Sequence, residues 1–575
     1  MQENITVSSV ISSFYQISDR LIDEFASDTT NGVARKKALA SISQRKWGSA
    51  SLVSYQSAGK LLIIDQISQD VDRDRAIKIA NDLADDGFKT TVLINGIDPD
   101  GPDPLITQQL SAENVSVIAG ELKELSGFLG RFSAQLGSAG KDDFDLVLDL
   151  GTPACLQHEV LPPGYYAPGD DPESIRSALQ EIPQMTGEFG KPVYVKYRAN
   201  ICAHSSKGIT GCTRCLDCCP AEAIQDKGEK VEVNTSLCQG CGSCTVACPT
   251  GALAYTYPTA QEWLAMAREL LADYRRAGGS RPDLLIYDDK GENALLDNAG
   301  TLPDNVIPVP VEEIGSVGMD AWLSALAYGA GSIVLLIGND TPESILAGFR
   351  NHLAVAHSML NGMGYSDDRL RLIELNEDNT LLIGNQEGKP FDNNPAAGFE
   401  SFEKHRTIRL ALNQLYQHAP DPQELTVLPE GSSFGEVRVD QNTCTLCMSC
   451  VSICPVQALQ HDVEQLKLSF LESNCVQCGL CRNACPEGSI TLASRYIYDD
   501  ALAGEPRLLN EDTPFCCIAC GKPFISKRMF DRVTERLAAS GNWNVGDEVT
   551  PDWLQMCGDC RINPHFPDGR RVSVD

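Results

Sequence analysis

The spacing of its cysteines constrains this chain more than any other feature. Aligned on the dipeptide Cys-Pro, the sequence shows four copies of one unit, at Cys219-Pro220, Cys248-Pro249, Cys454-Pro455 and Cys485-Pro486. Three copies carry the full run C-x2-C-x2-C-x3-C-P: Cys238, Cys241, Cys244, Cys248; Cys444, Cys447, Cys450, Cys454; and Cys475, Cys478, Cys481, Cys485. Two-residue gaps let a tight loop turn three thiolates toward three irons of one cube. The fourth cysteine, ahead of proline, starts a new direction and ligates the other cluster of a pair. Proline fixes φ and lacks an N–H, which suits the start of a short helix. Gly240, Gly242 and Gly479 lie inside the loops, where they let backbone N–H groups approach sulfur. A disulfide framework needs an oxidising compartment, and zinc sites use paired C-x2-C knuckles rather than triplets. The pattern therefore predicts paired [4Fe-4S] clusters.

The first copy departs from the rule. It reads Cys202-AHSSKGITG-Cys212-TR-Cys215-LD-Cys218-Cys219-Pro220. Cys212, Cys215 and Cys219 match the second, third and fourth positions, while Ile209 stands where the first cysteine belongs. In one reading a loop insertion returns Cys202 to the missing place and Cys218 is spare. In the other, Cys212, Cys215 and Cys218 form the triplet and Cys202 is spare. The Cys-Pro register favours the first reading. His204 is read as a hydrogen-bonding neighbour rather than a ligand.

The stretches LPPGYYAPGDDP (161–172), GEFGKPVYVKY (187–197) and CAHSSKGITGCTRCLDCCP (202–220) carry a resemblance. The chain resembles a family of bacterial cytoplasmic 4Fe-4S ferredoxin-domain proteins, polyferredoxins often encoded near respiratory formate dehydrogenases and their maturation factors. The resemblance implies that Cys202 is a ligand. Cys218 departs from the family pattern, because the residue before the Cys-Pro cysteine is not generally a cysteine. The four repeats point to single-electron relay between cytoplasmic redox partners; the resemblance implies a link to formate oxidation, with an accessory role in formate dehydrogenase maturation as the alternative. On this reading one unit pairs Cys202, Cys212, Cys215 and Cys248 with Cys238, Cys241, Cys244 and Cys219. The second pairs Cys444, Cys447, Cys450 and Cys485 with Cys475, Cys478, Cys481 and Cys454.

A third cysteine group follows. Cys517 and Cys520 form one C-x2-C knuckle and Cys557 and Cys560 another, which fits a structural tetrahedral zinc site. The segment between them has helical apolar spacing over Ser526–Ala539. Outside the cysteine regions the pattern alternates strand and helix. Strands are expected at Leu61–Ile64, Thr90–Ile94, Val115–Ile118 and Asp145–Leu148, with helices at Arg73–Asp86 and near Glu121–Gln135. A second such region has strands at Leu284–Tyr287, Ile307–Val309, Ile333–Ile337 and Leu370–Glu374, with helices at Asp320–Tyr328 and Pro342–Met363.

The expected fold is α/β plus α+β: two α/β domains alternating with two ferredoxin-like 2[4Fe-4S] modules and a C-terminal four-cysteine zinc-ribbon-like module. The divisions are a helical segment 1–50, an α/β domain 51–195, a module 196–260, an α/β domain 261–425, a module 426–500 and the zinc-type module 501–575. Neither G-x-G-x-x-G after a strand nor G-x4-G-K-[ST] occurs, so the α/β regions read as docking or scaffold domains. No nucleophile–base constellation stands out, which favours a carrier over a catalyst. Acidic residues outnumber basic ones, 78 to 47, giving a net charge of −31. Such a surface repels nucleic acid and anionic lipid and suits basic patches of redox partners. The N-terminal stretch lacks the basic and apolar regions of a secretory signal. The apolar run Ala321–Gly338 is broken by Gly329-Ala330-Gly331, so it reads as helix then strand rather than a membrane span.

Overall fold

The branched apolar run from Leu61 to Ile64 makes Lys60–Gln66 a strand buried on both faces. It is the middle strand of a five-stranded parallel sheet, ordered Val115–Ala119, Lys89–Asn95, Lys60–Gln66, Leu146–Asp149 and Tyr165–Tyr166. The computed structural model describes residues 19–66, 75–95, 114–375, 381, 383, 399 and 401–562, apart from 26, 44, 46, 49, 137–139, 402, 463–465 and 540–551. Successive side chains of a strand point to opposite faces. Leu61 and Ile63 accordingly pack with the Arg75–Asp85 helix, while Leu62 and Ile64 join a separate core on the other face.

That other face corrects one expectation. The stretch Glu121–Gln135 is not helical but holds the antiparallel strands Leu122–Ser126 and Phe132–Leu136, continued by Gly140–Phe144. Gly127 and Gly130 both adopt positive φ, which breaks a helix. At Gly130 a Cβ would strike the Gln56 carbonyl. Phe132, Ala134 and Leu136 then recur with period two and cover the parallel sheet. The other strands and helices expected here lie within a few residues of their places, with 73–74 outside the described residues.

The second region has a four-stranded parallel sheet in the order Val306–Pro310, Asp283–Tyr287, Ser332–Ile337, Leu370–Glu374. Gly329, at φ 102°, ends the Met319–Ala327 helix before the Ser332–Ile337 strand. Among the described residues no helix is long and apolar enough to cross a membrane. Of the N-terminal segment, 1–18 lie outside the described residues, while Asp19–Glu24 and Thr30–Ser43 are helices. They join the core of this second region, against the Ala260–Arg276 helix. Arg35 anchors them. It is 2 % exposed and donates to the carbonyls of Phe25 (2.6 Å), Pro303 (3.0 Å) and Val306 (3.1 Å), beside Asp304 at 3.2 Å.

The two ferredoxin-type regions repeat one pattern. Val195–Tyr197 pairs with Leu253–Tyr255, and Ile224–Asp226 with Val231–Val233. Gly435–Val439 pairs with Ile490–Ile497, and Leu459–Asp462 with Lys467–Phe470. Both are built onto the α/β regions. The Tyr55 hydroxyl donates to the Ser236 carbonyl at 2.6 Å, and the Tyr498 hydroxyl to the Met359 carbonyl at 2.6 Å. Replacing Arg35 by alanine removes one donor from each of three carbonyls and from Asp304, which keeps that of Thr29. Arg35→Ala is expected to destabilise the chain by about 3 kcal/mol, read as a lower urea midpoint in tryptophan fluorescence; an unchanged midpoint would count against this anchor.

Candidate metal centres

Each regular cysteine loop turns through two left-handed residues around its second cysteine. They are Gly240 and Gly242, Leu446 and Met448, and Gln477 and Gly479. The non-glycine residues adopt this conformation at a cost of about 1–2 kcal/mol each, strain of the kind stored at functional sites. The turn aims N–H groups at sulfur: Gly240 to Cys238, Ser243 to Cys241, Gln477 to Cys475 and Leu480 to Cys478. The cysteines ahead of proline receive the same treatment. Cys219, Cys454 and Cys485 each accept from the N–H four residues on, at 3.3 Å, and Cys248 from Leu253 at 3.4 Å.

The fold gathers the cysteines in crossed sets. Burial pushes Cys215 up to about 12, and Cys248, Cys212 and Cys202 add to the rise. Burial raises Cys241 to about 12, with Cys219 and Cys238 beside it. Cys244 is raised by burial and by Cys241, Cys218, Cys238 and Cys219. In the second region burial lifts Cys450 to about 12, assisted by Cys444, Cys447 and Cys485. Cys481 is raised by burial, then by Cys475, Cys478 and Cys454. The thiols of Cys444, Cys447, Cys450 and Cys485 line one small cavity with Leu468 and Ile490. Four thiols drawn from two loops, with N–H groups directed at sulfur and an apolar lining, are a donor set that fits a [4Fe-4S] cube.

The insertion in the irregular copy folds as a hairpin. Ser205–Ser206 pairs with Ile209–Thr210 around a turn at Lys207 and Gly208, both with positive φ. The pairing continues as Gly211 N–H donates to the His204 carbonyl at 2.7 Å and Cys212 N–H to that of Ala203 at 3.0 Å. The insertion thus folds out, and Cys202 returns beside Cys212 and Cys215. Cys218 turns the other way. Burial raises its thiol, with Cys241 the largest charged influence and Cys219 next. His204 is 1 % exposed, with Nδ1 3.0 Å from the Cys212 carbonyl and Nε2 3.1 Å from Asp226. It props the hairpin.

Two lysines that carry no motif stand against these loops. The Lys404 ammonium donates to the carbonyls of Thr245 (2.7 Å), Val246 (2.5 Å) and Cys248 (3.3 Å), at the carbonyl end of the Ser243–Ala247 helix. Lys191 donates to the carbonyls of Ser236 (2.9 Å) and Cys238 (2.7 Å). Burial lowers Lys191 to about 8, against the pull of Cys238. Both place positive charge where thiolates collect.

Cys517, Cys520, Cys557 and Cys560 bring all four sulfurs within 4.8 Å of one another, with Cys520 and Cys557 at 3.8 Å. Among the described residues no other group of three or more metal-ligating side chains is drawn together in this way. A tetrahedron with ~2.3 Å arms has edges of about 3.8 Å, so the spacing fits four thiolates on a single ion. Burial opposes ionisation of Cys517, but N–H groups of Cys557, Cys520 and Ala519 hold it down to about 6. Cys516 is exposed and outside the group.

Residues 443–489 match the model of the 4Fe-4S dicluster domain, and residues 231–254 that of the 4Fe-4S binding domain. An uncharacterized ferredoxin of Methanocaldococcus jannaschii is 37% identical over 81 residues, which is 14% of this chain and 43% of that protein. Hydrogenase-4 component A of Escherichia coli is 46% identical over 39 residues, 7% of this chain and 19% of that protein. The chain spans less than half the length of either relative. Matched domains, crossed thiols and N–H groups aimed at sulfur agree: this chain is an iron–sulfur protein with ferredoxin-type 4Fe-4S domains.

Proposed function

We propose that this protein relays single electrons between redox partner proteins through four [4Fe-4S] clusters, without catalysing a reaction of its own. Each cluster takes three cysteines from one loop and a fourth from its neighbour: Cys202, Cys212, Cys215 with Cys248; Cys238, Cys241, Cys244 with Cys219; Cys444, Cys447, Cys450 with Cys485; Cys475, Cys478, Cys481 with Cys454. The single observation that carries this is the crossed grouping of thiols, repeated in both regions. Cys517, Cys520, Cys557 and Cys560 hold one structural zinc. The six divisions of the chain follow from this arrangement. The cytoplasm is the setting, since it keeps clustered thiols reduced.

The resemblance around Cys202 adds formate oxidation as the linked reaction, with a formate dehydrogenase or its maturation proteins as partner. Deleting the gene tests the link. The relay reading expects an intact formate dehydrogenase with blocked electron flow, and an accessory role expects an enzyme lacking its cofactor.

Anaerobically purified protein is expected to hold about sixteen irons and as many acid-labile sulfides, four per cube; fewer than about eight would overturn the relay. Cys202→Ser is expected to lose about four irons, while Cys218→Ser keeps the full complement. The reverse result would exchange their roles. Zinc analysis is expected to find one ion per chain, lost in Cys557→Ser with iron unchanged. A chain that retains its zinc in that variant would place the metal elsewhere.

A further inference from the structure

We propose that the two ferredoxin-type modules are joined into one electron path at a single dry junction, where Cys212 of the first meets Cys478 of the second beside the seating of Leu480 on Gly211. This rests on the relay reading above.

Cys212 and Cys478 lie in one apolar cluster with Ala203, Ile453 and Leu480, which are 3 %, 4 % and 1 % exposed. After Cys454 of its own set, the thiol nearest in influence on Cys478 is Cys212, more than 260 positions earlier in the chain. Gly211 makes the approach possible. A Cβ there would stand 2.5 Å from Leu480 Cγ and 2.8 Å from the Ala203 carbonyl oxygen, so any side chain would wedge the modules apart. Polar contacts clamp the rim. Asn483 Nδ2 donates to the Thr210 carbonyl at 2.8 Å, and Arg214 Nη2 to that of Gly431 at 2.9 Å. The hairpin that returns Cys202 to its set is thus also the surface that docks the second module.

The junction sets an order. The sets containing Cys212 and Cys478 are inner, and those containing Cys241 and Cys447 are outer. Within the modules, the Cys218 thiol feels Cys241 and Cys219 of the outer set and Cys215 of the inner one, and Cys481 feels Cys450. One electron passing the junction oxidises the inner cluster of one module and reduces that of the other. No bond breaks and no proton moves. Gly211 and Leu480 are positioning residues: they hold no cluster but set the gap between two.

EPR of the fully reduced, full-length protein tests this. Wild type is expected to show a chain of four interacting spins, in which dipolar broadening extends across the modules. Gly211→Ala is expected to weaken the inter-module broadening with iron content unchanged. Adding Leu480→Ala, which removes the clash across the junction and leaves only that with the Ala203 carbonyl of the same module, is expected to restore part of it. A wild-type spectrum that resolves into two isolated pairs would overturn the junction without recourse to any variant. So would a Gly211→Ala spectrum superimposable on wild type. Iron far below about sixteen in wild type would instead overturn the relay itself, a failure distinct from four intact clusters without coupling between modules.

Discussion

The structure depends on cysteines crossing between loops. Cys219 belongs by sequence to the first loop and by position to Cys238, Cys241 and Cys244, while Cys248 makes the opposite crossing to Cys202, Cys212 and Cys215. Neither loop completes its set alone. Short strands hold the crossing in register: Ile224–Asp226 on Val231–Val233 in one module, and Leu459–Asp462 on Lys467–Phe470 in the other. The cysteines pack inside small apolar clusters of their own module, Val195, Ile224 and Leu253 in the first and Leu459, Leu468 and Phe470 in the second. The larger α/β cores carry the framework to which they are tied.

That framework explains the placement of charge. A chain with net charge −31 keeps Lys191 and Lys404 against its thiols. Lys404 lies on the Lys404–Tyr416 helix of the second α/β region, yet its ammonium closes the carbonyl end of Ser243–Ala247 in the first module. A cation there complements both the helix end and the thiolates beyond it. Elsewhere Glu436, though burial raises its pKa, is held below the ordinary carboxylate range by Arg438, Arg495 and Arg507. The interior of the second module thus keeps its buried carboxylate paired.

The irregular first copy shows how an insertion is accommodated. Lys207 and Gly208 close a two-residue hairpin, the shortest connection that returns an antiparallel chain to its start. Cys202 is kept beside Cys212 and Cys215 while the extra residues form a strand pair. Gly211 at its base then admits Leu480, so a departure from the cysteine rule coincides with the contact between modules.

The three regular cysteine loops were legible from spacing, because C-x2-C-x2-C geometry is local and each loop is dictated by its own few residues. Four strands of the first parallel sheet and all four of the second were legible for a similar reason, as their apolar runs are bounded by turns, while the two-residue edge strand Tyr165–Tyr166 was not. The stretch Glu121–Gln135 was misread because its composition suits a helix, while Gly127 and Gly130 and the neighbouring sheet demand strands. The return of Cys202 to Cys212 and Cys215, the turn of Cys218 toward Cys241, the reach of Lys404 and the shared apolar cluster of Cys212 and Cys478 were decided only by tertiary structure. Each joins residues whose proximity depends on how separate elements pack, and no local pattern of residue types encodes that distance.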